Sequence, residues 1–464
     1  MLRHVIEKEL KDCLYGYRSL LVFVLSAVLF LVAIYTGARE YQAELQEYRL
    51  AQVTQRQSLA AETNLYALSA FGFNVVKPPT VLGILVSGVE PHAPRVYNLG
   101  LYTLPQPQGS AASENPTVAV FGALDLTFII QVVLGLAALL FTLSAICGEK
   151  ELGTLKLQLA NALPKDVLLL GKLVGNLIGL LVPVALAFLL AGIMLVNFEG
   201  VSLTGDELRR VLLLGLDFGL YLVVLFALGL CISTLTTRTT TAFALCLAAW
   251  VLVVAIVPKF AVIAARRLAP TEPLQEFEMK KVAVHRRGTV EVQAEFSQYI
   301  RQHNGKMPPL AVYEDISSRT RERQNRELRK LEEYYLQRKE HQARVALLLS
   351  RLSPAGSAAY AAMSLARTGL ERDLRFRAAL RDYRSLFTIY YDRKSRELVD
   401  LTRSAGIPAV MAEQNFTDLP GFDFHEEPLA SSLDDALPDL GMLVVWSLVL
   451  FAVAYFKFLR YDVR

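Results

Sequence analysis

The sequence predicts an all-α membrane protein, with six spanning helices and a large helical domain outside the bilayer. Three observations carry that prediction. First, the chain has 464 residues, 53% hydrophobic and 20% charged, with a mean hydropathy of +0.35. It is too apolar for an ordinary soluble protein and too charged to lie wholly in lipid. Second, six stretches supply the roughly 20 mostly apolar residues that a spanning helix needs: 19–37, 123–147, 168–197, 211–233, 241–263 and 440–459. Third, with six spans the lysines and arginines of the short loops fall on one side.

The first 18 residues, "MLRHVIEKELKDCLYGYR", form a charged amphipathic leader. Span 19–37 then runs into the polar "AREYQAELQEYRLAQ" with no small-residue cleavage site, so it reads as an uncleaved signal anchor. Residues 38–122 make a first outer segment. Its stretch 75–100 holds Pro78-Pro79 and several glycines and reads as a loop with a short apolar insert, too short to span. A charged loop, 148–167, joins spans two and three, and a short outer loop near 198–210 joins three and four. Residues 264–438 form the large outer domain, and 439–464 the sixth span and tail.

Arg3, Lys8, Lys11 and Arg18 precede span one. Lys150, Lys156, Lys165 and Lys172 lie between spans two and three, Arg238 between four and five, and Lys457, Arg460 and Arg464 after span six. All four sets share one side, so both termini are expected in the cytoplasm. Arg266 and Arg267 run against this, but they open a long segment, for which the charge rule is weak.

The outer domain reads as helical. "TRERQNRELRKLEEYYLQRKEHQAR" (320–344) is charged all round, with favourable pairs Glu322–Arg326 and Glu340–Arg344, and reads as a solvated helix. Phe376, Leu380, Tyr383, Phe387 and Tyr390 step by four, three, four and three, one stripe on one helix, and read as a packing face. The stretch 345–366 is long enough to span. However, Arg351 and Ser353-Pro354 sit inside it, and Ser-Pro reads as an N-cap with a first-turn proline. It is therefore expected as two helix pieces packed in the outer domain.

Several function classes are excluded. A net charge of +4 gives no nucleic-acid footprint. The four cysteines lie in or beside apolar runs, so no disulfide framework is indicated. Gly171-Lys172 is followed by leucine, not Ser or Thr, and opens a span, so no phosphate loop exists. The scattered histidines and methionines show no metal spacing, and no nucleophile elbow occurs. No catalytic or metal site, and no cofactor of its own, is expected in this chain. Asp125, Asp217, Gln131 and Asn176 are polar groups within spans and therefore candidate pathway residues. The competing reading puts both aspartates near the outer interface, within reach of water or of the outer domain's arginines.

The loop after span two is the most informative stretch. Glu149 and Glu151 favour a helix start, Gly153 allows a turn that a side chain forbids, and Thr154 suits a cap. Leu155, Leu159 and Ala162 then share a helix face, and Pro164 ends it. A short amphipathic helix on the inner face suits docking into a groove of a soluble partner, and its acidic pair can both cap the helix and meet a basic rim on that partner.

"GEKELGTLKLQLANALPKDVLLLGKLVGN" resembles the coupling region of ABC type-2 transporter permeases, with Glu149, Glu151, Gly153, Thr154, Pro164, Gly171 and Lys172 matching in order. The leader "VIEKELKDCLYGYRS" resembles that family's N-terminal interface helix. "VVKPPTVLGILVSGVE" and "LSPAGSAAYAAMSLARTG" resemble the outer segments of a subgroup with enlarged extracytoplasmic loops, related to permeases of multicopper-enzyme maturation and gliding. The resemblance implies a bacterial inner-membrane permease subunit that pairs with a second permease chain. An ABC ATPase dimer would supply ATP and magnesium from the cytoplasm, and membrane lipids would surround the spans. A non-transporting complex that moves a periplasmic partner through the outer domain is the alternative.

Overall fold

The computed structural model describes residues 2–14, 16–101, 105–109, 124–143, 145–155, 164–405 and 415–460. A short helix α1 (Leu2–Leu14) precedes α2 (Tyr17–Ala61), a single rod that carries the first span and continues well past it. After α3 (Leu65–Phe71), strands β1 (Phe73–Val76), β2 (Val96–Leu99) and β3 (Gln106–Gln108) form an antiparallel sheet in chain order. Helix α4 (126–143) holds a stretch of π-helix, Ile129–Leu134, and α5 (Cys147–Glu151) is one short turn. Helices α6 (Lys165–Val196), α7 (Gly205–Leu235) and α8 (Thr239–Leu268) follow. Then come α9 (Leu274–Gln302), α10 (Leu310–Ser350), α11 (Pro354–Ala366), α12 (Leu370–Ala405) and α13 (Leu429–Leu459). Among the described residues, six helices are long and apolar enough to cross a membrane: Ser19–Ala61, Leu126–Glu151, Lys165–Val196, Gly205–Leu235, Thr239–Leu268 and Leu429–Leu459.

Local signals fix the helix starts. Thr204 and Glu207 form a reciprocal capping box at the head of α7. Ser353 Oγ accepts the backbone N–H of Ala355, with Pro354 as the first helical residue of α11. The turn between α9 and α10 uses Asn304 and Gly305, both with positive φ.

Three apolar clusters organise the chain. The largest unites the spans. A second lies in the outer domain, where Phe376, Leu380, Tyr383, Phe387 and Tyr390 of α12 are all buried against Phe73, Val75, Tyr97 and Leu99 of the sheet. The stripe is thus a packing face, as its spacing predicts. The small sheet was not anticipated: the stretch 75–100, read as a loop with a short apolar insert, holds the end of β1 and all of β2, which pack on this stripe. A third, smaller cluster gathers Ile146, Leu155, Leu168, Leu169, Leu230 and Phe458 at the opposite end of the bundle.

The stretch 345–366 divides at Ser353-Pro354 as expected, but its second piece is not part of the outer domain. Ala355, Ala358, Ala361, Ala362, Leu365 and Ala366 of α11 belong to the bundle core. Ser353 Oγ donates to Val253 O of α8 (2.5 Å), and Gln131 Nε2 of α4 donates to Ala355 O (2.9 Å). The reason is the alanine-rich face, which lets α11 sit close against neighbouring helices. At 13 residues it is too short to span.

The segment behind it is tied down by charge. Arg372, buried at the start of α12, donates to Glu90 (2.8 Å), to Glu426 (2.5 Å) and to Pro78 O (2.9 Å). Lys77 pairs with Glu90 at 2.9 Å. Burial works to raise the Glu90 pKa, but Lys77 and Arg372 outweigh it and hold the carboxyl below its ordinary 4.5. A lowered folded-state pKa stabilises the fold fully above the unfolded value and is lost as pH falls through the folded one. The junction is therefore expected to loosen on acidification below about pH 4.5, with faster hydrogen exchange over residues 77–92. Glu90→Gln should remove most of that acid dependence. Equal acid sensitivity in wild type and variant would assign it to other carboxylates.

Candidate functional site

The end of the bundle opposite the outer domain holds the loop between α4 and α6. Residues 156–163, which include Leu159, lie outside the described residues. Pro164 stands immediately before α6 as its N-cap residue. The remainder, 145–155, is stitched to α6, α7 and α8 directly and, through Lys172, to α1. Ser233 Oγ of α7 accepts the backbone N–H groups of Ile146 (3.2 Å) and Cys147 (3.0 Å). Lys150 Nζ donates to Thr234 O (2.6 Å) and Thr236 O (3.0 Å), carbonyls that the C-terminus of α7 leaves without helical donors. The Glu151 carboxylate accepts the backbone N–H and hydroxyl of Thr239, at 2.9 and 2.7 Å, and so serves the N-terminus of α8.

Glu149 meets Lys172 of α6 at 2.7 Å, and the same ammonium meets Glu9 of α1 at 2.9 Å. The Lys172 side chain is only 3% exposed. Asn176 Nδ2 donates to the other Glu9 oxygen (3.1 Å) and to Lys172 O (3.0 Å). One lysine thus joins the N-terminal helix, the loop and span three. The helix fit is steric as well. Gly171, Gly175 and Gly179 form one stripe on α6, where a Cβ would collide with Val5, Glu9 and Cys13 respectively. The stripe is the seat of α1.

This geometry gives the acidic pair partners inside the chain, while Glu151 stays exposed. Both acids are engaged within the chain, because two helix ends and a buried lysine lie within their reach. Leu155 is fully buried in the third cluster, so the loop is part of the bundle. Gly153 has φ +72°, the left-handed region that favours glycine, and nothing lies where its Cβ would point. Thr154 Oγ1 donates to Glu149 O (3.4 Å). Leu152, 79% exposed, faces outward between the exposed Glu151 and Gly153. Its signal was present, a leucine between a charged pair and a glycine.

The four candidate pathway residues do not converge. Asp125 caps α4 by accepting Phe128 N–H (2.8 Å) and also accepts the backbone N–H (3.0 Å) and hydroxyl (2.9 Å) of Ser87. Gln131 sits in the π-helical stretch and binds α11; its own carbonyl accepts the Tyr221 hydroxyl at 3.2 Å. Asn176 belongs to the Lys172 cluster at the other end. Asp217 remains: fully buried, with neither oxygen hydrogen-bonded among the described residues. Asp439 of α13, also fully buried, pairs with Arg351 at 2.8 Å. Sequence reasoning missed Asp439, which stands at the boundary assigned to the sixth span, and treated Arg351 only as an obstacle to spanning.

At the loop end of the bundle, lysines on either side of the loop bind helix ends. Lys165 Nζ, for instance, donates to Leu459 O at the end of α13 (3.0 Å). No curated protein matches the chain. A family model described as ABC-2 family transporter protein matches residues 3–463, and its members are membrane subunits of transporters. With that match and six candidate spans, the chain belongs to the ABC-2 transporter family of multi-pass membrane proteins.

Proposed function

We propose that this chain is the permease subunit of an ABC transporter in a bacterial inner membrane, with both termini in the cytoplasm. Two permease chains pair, and a separate ATPase dimer binds the loop end of the bundle. The observation that carries the reading is the loop 145–155. It is fastened to α1, α6, α7 and α8, and it presents Leu152 outward. A push on such a loop reaches four helices at once. ATP and magnesium belong to the ATPase subunit. Nucleotide then biases a two-state bundle between its conformations.

The docking role moves within the loop. Leu152 and the left-handed turn at Gly153 are the contact, with Thr154 beside them. Glu149, Glu151 and Leu155 transmit the contact to the bundle, and Leu159 and Pro164 complete the coupling segment. Asp217 is the one pathway candidate left without a partner in the span region.

Leu152→Asp is expected to leave the permease inserted and thermally unchanged, because the side chain packs on nothing. It should reduce ATPase co-purification at least about tenfold, the loss of one apolar anchor of roughly 1.5–3 kcal/mol. ATPase recovery at wild-type stoichiometry would remove Leu152 from the interface.

A mechanical reading, in which ATP hydrolysis moves the outer domain against a periplasmic partner, is favoured by one observation. Helix α8 runs beyond its span, and Gln342 Nε2 of α10 donates to Ala269 O at its end (2.8 Å). A span and an outer helix are thus joined directly. Substrate flux in proteoliposomes distinguishes the two readings.

A further inference from the structure

We propose that the cleft between α8, α10 and α12 binds one anionic, acyl-chain-bearing lipid, taken from the leaflet adjoining the large domain. The cleft holds about 750 Å³, within the range of small-molecule sites. Its walls are apolar and low: Val262 and Ala265 of α8, Leu336 and Ala346 of α10, Leu374 and Ala378 of α12. The alanines leave the width that larger side chains would fill.

Two features select the occupant. The first is continuity with the membrane. Val262 and Ala265 lie on a spanning helix whose neighbouring Ile263 and Leu268 are exposed, so the cleft opens from the apolar surface of the bundle. From Ala346 to Leu336 the wall of α10 climbs about 15 Å away from it, a length suited to an acyl chain. The second is charge. Six basic side chains line the cleft against four acidic ones. Arg344, Arg375 and Arg377 are occupied by Glu340, Glu427 and Asp373. Arg266 at the mouth and Arg381 at the far end make no ion pair among the described residues, and Lys339 also lines the cleft. A lipid drawn outward leads with its headgroup. Its acidic group therefore meets Arg381 and Lys339, and its chain lies along the alanine walls. A neutral ligand would leave the two free guanidiniums unused.

The proposal goes beyond the coupling role and requires neither the ATPase nor transport. Its test uses the full-length permease in nanodiscs that carry phosphatidylglycerol with a photoactivatable acyl chain. Peptide mapping is expected to find crosslinks in residues 336–346 and 370–378 as well as on the spans. Arg381→Glu, an exposed change that leaves the fold intact, should lower the cleft crosslinks about tenfold, the loss of one charge-assisted contact. Ala378→Trp should abolish them by filling the space. A phosphatidylcholine probe should label the spans but not the cleft. Crosslinks confined to the spans, equal capture of the phosphatidylcholine probe, or cleft crosslinks unchanged by Arg381→Glu would overturn the assignment. Capture of photoactivatable oleate added from solution, without capture of phosphatidylglycerol, would overturn the membrane source.

Discussion

Lys172→Ala is expected to release the N-terminal helix from the bundle. Lys172 pairs with both Glu9 and Glu149 and is almost wholly buried. Removing it takes away the cation that the two carboxylates share, a change that typically costs about 3–5 kcal/mol. Helix α1 is otherwise held mainly by packing. It lies along the glycine stripe of α6, and the Glu9–Asn176 hydrogen bond needs Glu9 to stay in place. Trypsin should therefore cut at Lys8 and Lys11 much faster in the variant, and ATP hydrolysis should uncouple from downstream activity. A second variant separates charge from packing. Replacing Glu9, Lys172 and Glu149 together with Gln, Met and Gln leaves no buried charge behind and should recover most of the lost stability. If Lys172→Ala kept wild-type cleavage rates and thermal stability, the cluster would not be what holds α1.

The sequence carries some of this arrangement and hides the rest, for physical reasons. The six spans are legible because each is a long apolar run, and hydrocarbon tolerates little else. The α12 stripe is legible because its apolar residues repeat at helical spacing. The break at Ser353-Pro354 is legible because capping chemistry is local. What escaped is non-local. The Lys172–Glu9 pair joins residues 163 apart in the chain, and nothing near either residue announces the other. Glu149 and Glu151 have the composition of a solvated loop, and only the fold brings Lys172 and Thr239 to them. The sheet strands are three or four residues long, too short for a two-residue period to emerge. Helix α11 was misplaced because alanine suits a surface helix and a close-packed one equally well. Its neighbours decide which, and they come from α4, α7, α8 and α13.

Arg210→Ala is expected to unfasten α11 from the head of span four. The side chain is fully buried, the largest such residue in the described structure. Its Nε donates to Asp206 (2.9 Å), Nη1 to Leu365 O (3.0 Å) and Nη2 to Glu427 O (2.9 Å). Leu365 stands in the last turn of α11, where carbonyls lack helical donors, and Glu427 lies just before α13. One guanidinium thus holds span four, the inserted helix and the approach to span six. Each lost charge-assisted hydrogen bond is worth about 1.5–3 kcal/mol, and the alanine leaves a cavity besides. Arg367 does not substitute for it: Arg367 already donates to Asp206 (2.8 Å) and to Glu427 O, but not to Leu365 O. Lysine at 210 should rescue little, since a single ammonium cannot match three acceptors set in a planar fork. The expected signature is local. Amides of 354–366 and 427–432 should exchange faster, while the α9–α10 hairpin, held by its own Phe277–Tyr335 stack, should not change. ATPase co-purification should survive, because the loop end of the bundle is untouched. Unchanged exchange across α11 would show that its alanine face alone seats it, and would leave Arg210 without a part in transmitting motion.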